Sequence, residues 1–257
     1  MKKKALTKPT GKRFQIEHND QLFVGIDVHK KDYHIAVWSE IQQRCIASWV
    51  SPACPETVIE SLRPHQANVA YVVYEAGPTG FQLARALQEQ GFLVDVVSAA
   101  HIPRAMAKEE KSDRLDAQEL ACQAAKDMLH PIYIPDLDEE LDRGILRRRK
   151  TVVKESRRAK VRIRQLLLFH GITEPEELKH WTRAGREVLR EQKMDSRVRI
   201  ALEGLLRDLE HFENEERIIQ KEIREMAKSE RYAEKEALLE TIPGVGLITS
   251  MNFLTEF

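Results

Sequence analysis

Residues 22–50 read LFVGIDVHKKDYHIAVWSEIQQRCIASWV, and this stretch decides the fold. Three β-rich runs, 22–28, 33–38 and 44–50, are separated by polar turns of hairpin length, which predicts an antiparallel meander. The meander is followed by a helix in PETVIESLRP, a strand in VAYVVYE and a helix in TGFQLARALQEQG with Gly91 past its end. Another strand lies in FLVDVV, and Ser112 is placed to cap a helix through DRLDAQELACQAAKDML. Strands alternating with helices imply parallel pairing through crossovers. The predicted order is therefore β-β-β-α-β-α-β-α on one sheet.

Four acids mark the ends of these elements. Asp27 closes FVGID, Glu75 closes VAYVVYE, and Asp113 and Asp116 stand three apart at the start of the last helix. Residues at i and i+3 share a helix face, so adjacent strands would bring all four toward one place. Crowded carboxylates repel and take up protons unless a cation neutralises them. Hard oxygen donors suit magnesium or manganese.

Composition sets the outer limits. A chain of 257 residues has room for one or two domains, and 42% hydrophobic residues is an ordinary globular content. No apolar run approaches the roughly 20 residues that cross a bilayer, so no membrane association is expected and an intracellular protein is. Cys45, Cys54 and Cys122 lack both paired spacing and a histidine pattern, which argues against zinc and a disulfide framework.

The 41 basic and 41 acidic residues balance, but unevenly along the chain. Residues 1–20 are a basic arm. In RGILRRRKTVVKESRRAKVRIR, residues Arg147, Arg148, Arg149, Lys150, Lys154, Arg157, Arg158, Lys160 and Arg162 face a lone acid, Glu155. Such density on a helix reads as a phosphate-binding surface, or as a solvated face paired with an acidic neighbour. Further on, Leu202, Leu205, Leu209, Phe212, Ile219, Ile223 and Met226 form a heptad seam that only Glu216 interrupts. The seam predicts a helical hairpin within the chain, a coiled coil between chains, or an amphipathic helix packed on its own domain. Near the end, IPGVG places Gly244 and Gly246 in a turn able to aim backbone N–H groups at a phosphate. The chain stops inside an apolar run, as though more sequence normally follows.

The segments VGIDVHKKDYHIAVW, YEAGPTGFQLARALQEQGF, SAAHIPRAMAKEEKSDRLDAQELA, RRRKTVVKESRRAKVRIRQLL and IPGVG together resemble the DEDD transposases of bacterial insertion sequences. This is the insertion-sequence one-ten family, which includes the Piv DNA invertase and bridge-RNA-guided recombinases. The resemblance runs from about Phe23 onward. It implies an α/β domain of RNase H-like (RuvC-like) fold over 21–135, a basic helix and coiled coil over 136–240, and the beginning of a helix-hairpin-helix transposase domain over 241–257.

By position, Asp27, Glu75, Asp113 and Asp116 become the catalytic tetrad that holds Mg2+ or Mn2+. The implied activity is metal-dependent DNA strand cleavage and exchange in the bacterial cytoplasm, at the nucleoid when active. The implied partners are DNA, a structured guide RNA and further copies of the chain. Lys30, Lys111, Arg114, Arg147, Arg148, Arg149, Lys150, Lys154, Arg157, Arg158, Gly244 and Gly246 are the expected nucleic-acid contacts. Lys108 flanks the helix acids and serves either phosphate contact or charge compensation. His29, His34 and His101 read as structural. The family's serine nucleophile lies well downstream of the hairpin glycines, and Ser250, four residues after Gly246, is not assigned that role. Other readings are a catalytically incomplete nucleic-acid-binding fragment and a RuvC-like nuclease of branched DNA.

Overall fold

The computed structural model describes residues 16–102 and 113–257, with the side chains of His101, Asp113 and Arg114 outside that description. Residues 1–135 and 136–257 form two compact units. The first 15 residues of the expected basic arm, together with Lys108 and Lys111, lie outside the described residues.

The first unit is a mixed six-stranded sheet in the order β3-β2-β1-β4-β5-β6. Its strands are β1 (Leu22–Val28), β2 (Asp32–Ser39), β3 (Arg44–Pro52), β4 (Val69–Glu75), β5 (Val94–Val97) and β6 (Pro131–Ile132). β1, β2 and β3 pair antiparallel, as the polar turns predict. β1 and β5 each pair parallel with β4, and β6 adds an antiparallel edge to β5.

The two faces of the sheet carry different cores, because side chains alternate along each strand. Val24 and Ile26 of β1 and Val72 and Tyr74 of β4 face helices α1 (Pro55–Leu62) and α2 (Gln82–Glu89), meeting Val58, Leu62, Leu83 and Leu87. On the opposite face, Val73 and Val97 meet Leu120 and Ala124 of α3 (Asp113–Ala125), with Phe23 and Tyr71 packed alongside. A buried Asp20 ties the meander together at its start. It accepts bonds from the Ser39 hydroxyl at 2.5 Å and the Ile41 amide at 3.1 Å, while Asn68 donates to its carbonyl at 3.0 Å.

The second unit is helical, and no described helix is long and apolar enough to cross a membrane. Its frame is a pair of long helices, α4 (Leu137–Phe169) and α6 (Ser196–Ala227). Asp136 caps α4 in a reciprocal capping box with Glu139. Ala159, Ile163 and Leu167 near the end of α4 pack on Leu202, Leu206 and Leu209 near the start of α6. Leu146, near the start of α4, packs on Ile223 and Ala227 at the end of α6. The heptad seam thus closes as an antiparallel hairpin inside the chain. Leu206 belongs to the seam as well, fully buried at four-and-three spacing between Leu202 and Leu209 where the expected seam named Leu205.

The seam's one interruption is answered across the hairpin. Glu216 accepts from the Arg149 guanidinium at 3.0 Å. Between the two long helices, α5 (Arg183–Glu191) covers the first of these cores through Leu189, joined by Leu178 and Trp181. The unit ends with α7 (Ala233–Glu240) and α8 (Leu247–Glu256), the latter adding Met251 to the second core.

Candidate metal and nucleic-acid sites

Gly25 sets the position of the acids in the first unit. A Cβ on it would collide with the Ala117 carbonyl oxygen and lie 2.5 Å from the Ala121 amide nitrogen, so only glycine lets α3 cross β1 this closely. Farther along α3, Ala124 and Ala125 line a cavity with Phe23 and Tyr71 near the beginnings of β1 and β4. The helix therefore runs antiparallel to β1, and its first turn lies toward the end of the strand. From Ala117 back to Asp113 is four residues, about 6 Å of helix. From Gly25 on to Asp27 is two residues, about 6.6 Å of strand.

Strand alternation fixes which acids share that face. Gly25 pairs with Val73, and both lie on the α3 side. Asp27 and Glu75 each follow by two residues and emerge on the same side, at neighbouring ends of parallel strands. On the helix, Ala117, Leu120, Ala121 and Ala124 make the stripe that packs on the sheet. Asp113 and Asp116 continue this stripe by helical spacing, one turn nearer the strand ends. The backbone thus brings the four expected positions to one end of one sheet face.

The side chains are less gathered. Asp27 is 18% exposed and is engaged by His29, whose Nε2 lies 3.0 Å from its Oδ2. The His29 ring meets His34 edge-on at 5.9 Å between centroids, and His34 is the cross-strand partner of Asp27. These histidines, read from sequence as structural, line the Asp27 side of the site. Glu75 is half-buried and Asp116 is exposed. Among the described residues, no three His, Cys, Asp or Glu side chains form a group able to hold a metal ion. The side chain of Asp113 lies outside the described residues, as does that of Arg114. The donors placed on this face, Asp27 and Glu75, are carboxylates, the class that suits a hard divalent cation. Lys30 is exposed in the turn that follows.

In the second unit, the basic helix proves to be divided. Arg147 holds Glu256 through two hydrogen bonds, at 2.8 and 2.7 Å. This contact holds the Glu256 carboxyl below its ordinary range, with burial opposing. Arg148 approaches Glu215 at 3.7 Å, Arg149 pairs with Glu216, and Arg158 with Glu155 at 2.5 Å. Lys160 pairs with Glu213 at 3.2 Å, and both Lys160 and Arg164 lie over the Trp181 ring. For these cations the acidic-neighbour reading describes the structure. Lys150, Lys154, Arg157 and Arg162 are exposed.

The IPGVG turn joins α7 to α8. Gly244 takes a left-handed φ of 87°, and Gly246 precedes the first turn of α8. Ser250 is fully buried, donating to the Gly246 carbonyl at 3.0 Å in the manner of a helix serine.

Comparison with known proteins gives these features a family. The DEDD_Tnp_IS110 model, described as a transposase, matches residues 24–172. The Sinorhizobium fredii protein named "Putative transposase y4qE" is 29% identical over 252 residues, covering 96% of this chain and 60% of its own length. A Leptospira borgpetersenii protein named as the transposase for insertion sequence element IS1533 is 27% identical over 255 residues, covering 92% of this chain and 69% of its own length. The chain thus spans about 60% of the first relative. Among solved structures, Thermus thermophilus RuvC in complex with a Holliday junction aligns with 44% of this chain and 99% of its own, at 14% identity and a TM-score of 0.31.

Proposed function

Since the chain belongs to the IS110 family of DEDD transposases, we propose that its first unit is the metal-holding, phosphodiester-cleaving part of an insertion-sequence transposase with an RNase H-like sheet. The observation that carries this reading is the register of β1 against β4 beneath the antiparallel α3. It supports Asp27 and Glu75 as neighbouring donors on the face where Asp113 and Asp116 begin the helix. A divalent magnesium or manganese ion held by these carboxylates supplies positive charge for the phosphate oxygens of a strand under attack.

The chain's own residues hold and orient. Asp27 and Glu75 extend from a rigid sheet, so their backbone positions are fixed before any ligand arrives. His29 holds one oxygen of Asp27 and so limits its rotation. Asp113 and Asp116 bring donors from the helix. Lys30, exposed in the turn beyond Asp27, is assigned to the backbone of the incoming strand. Ser250 is not assigned as a nucleophile, because it is enclosed and donates to the Gly246 carbonyl and toward Glu236. DNA is the proposed substrate and a structured RNA the proposed guide.

The full chain should be titrated with Mn2+ and followed by water proton relaxation, beside Asp27→Asn and Glu75→Gln. Each substitution is expected to weaken binding at least tenfold while leaving the circular dichroism spectrum unchanged. Parental affinity in both variants would remove the metal site, and with it the proposed chemistry.

A further inference from the structure

We propose that Lys150, Lys154, Arg157 and Arg162 of α4 form a binding surface for a nucleic-acid phosphate backbone, distinct from the neighbouring RRR run. The proposal takes from the function above only that the ligand is a nucleic acid. It does not depend on whether the carboxylates bind metal.

The basis is a division of charge within one helix. The buried side of α4 carries Val152, Ser156, Ala159, Ile163 and Leu167. Lys150, Lys154 and Arg157 follow one another at four- and three-residue spacing on the opposite side, where Val161 is also exposed. Arg162 stands on the flank one turn beyond Arg158. Among the described residues, the side chains of Lys154, Arg157 and Arg162 make no hydrogen bond or ion pair. Lys150 acts on Glu256 at longer range only. Every other cation from Arg147 to Arg164 already has a carboxylate.

An exposed helix normally mixes signs, since like charges three or four apart cost about 0.2–0.5 kcal/mol each. Here Lys150 faces Lys154, Lys154 faces both Arg157 and Arg158, and Arg158 faces Arg162. Glu155, the lone acid of the stretch, is occupied by Arg158. The repulsion has no return within the unit, whereas a polyanion returns it through counterion release. From Lys150 to Arg162 the helix rises about 18 Å, a length that spans about five base-pair steps along a duplex axis at about 3.4 Å each.

The test measures affinity of the full chain against salt, with a chelator present so that metal plays no part. The probes are a mixed-sequence DNA duplex, an RNA hairpin and polyglutamate. For a nucleic-acid probe, replacing Lys150, Lys154, Arg157 and Arg162 together by Gln is expected to reduce the slope of log K against log salt by about 3 to 4. Arg147→Gln with Arg148→Gln is expected to change it by less than about 1, because those charges are already answered. Thermal melts of both variants verify folding. Loss confined to the duplex or to the hairpin identifies the nucleic acid as DNA or RNA, and loss on both assigns the backbone they share. A parental slope in the fourfold variant overturns the proposal, as does an equal loss per charge in the Arg147 and Arg148 variant. Polyglutamate binding as tightly as either nucleic acid also overturns it, in favour of an acidic protein partner.

Discussion

The Cα of Gly25 faces the backbone of Ala117 with no room for a side chain between them. The crossing fixes the level at which α3 passes over β1, and so the distance from the helix acids to Asp27.

Gly25→Ala should therefore do more than crowd a core. The collision is with backbone atoms, which cannot swing aside like a side chain. Destabilisation of about 3 kcal/mol or more is expected, the upper part of the overpacking range. Urea unfolding gives the loss, and Mn2+ affinity should fall with it even where the variant is fully folded. Native stability with native affinity would show that α3 can shift without disturbing the site.

The Arg149–Glu216 pair is only 21% and 28% exposed at its side chains, and the Arg149 Nε is buried without a partner. Glu216→Ala strands the guanidinium and should cost about 2 kcal/mol, less than a fully enclosed pair because water still reaches it. Arg149→Leu with Glu216→Leu completes the apolar seam and should restore most of that loss. Chemical denaturation compares the two, and a double variant no more stable than the single one would count against the explanation.

Glu256 carries the acid dependence of the α4–α8 contact. Its folded pKa is depressed, chiefly by the Arg147 hydrogen bond. Its contribution is therefore present above the unfolded value of about 4.3 and is lost as pH falls through the folded value. The partially exposed pair contributes at most about 1 kcal/mol. Glu256→Gln should lower the melting temperature slightly near neutral pH, with the gap to the parent closing as pH drops below about 4. A gap that persists undiminished in acid would assign the effect to packing.

Most of the sheet was legible because its signals are local. β-rich runs marked β1 to β3, short apolar runs marked β4 and β5, and the acids sat at strand ends where loops begin. β6, two residues long, offers too little pattern to read. The function of Gly25 was hidden because nothing local in a strand announces which helix will cross it. The same is true of Asp20, whose partners Ser39 and Asn68 are 19 and 48 residues away. The arginine cluster left two readings open for a related reason: Glu215, Glu216 and Glu256 lie 67 to 109 residues along the chain. A run of cations in sequence says how much charge is present, and only the fold says how much of it remains unanswered.

The helical unit holds its two long helices together with two cores, one around Leu167 and Leu202, the other around Leu146 and Ile223. Between them, buried Val152 and Ser156 continue the inner side of α4, and Arg149 meets Glu216 beside them. Apolar packing is thus densest at the two ends of the hairpin and thinnest midway. Amide protons beside either core should then exchange more slowly than those midway, where fewer apolar contacts resist local opening.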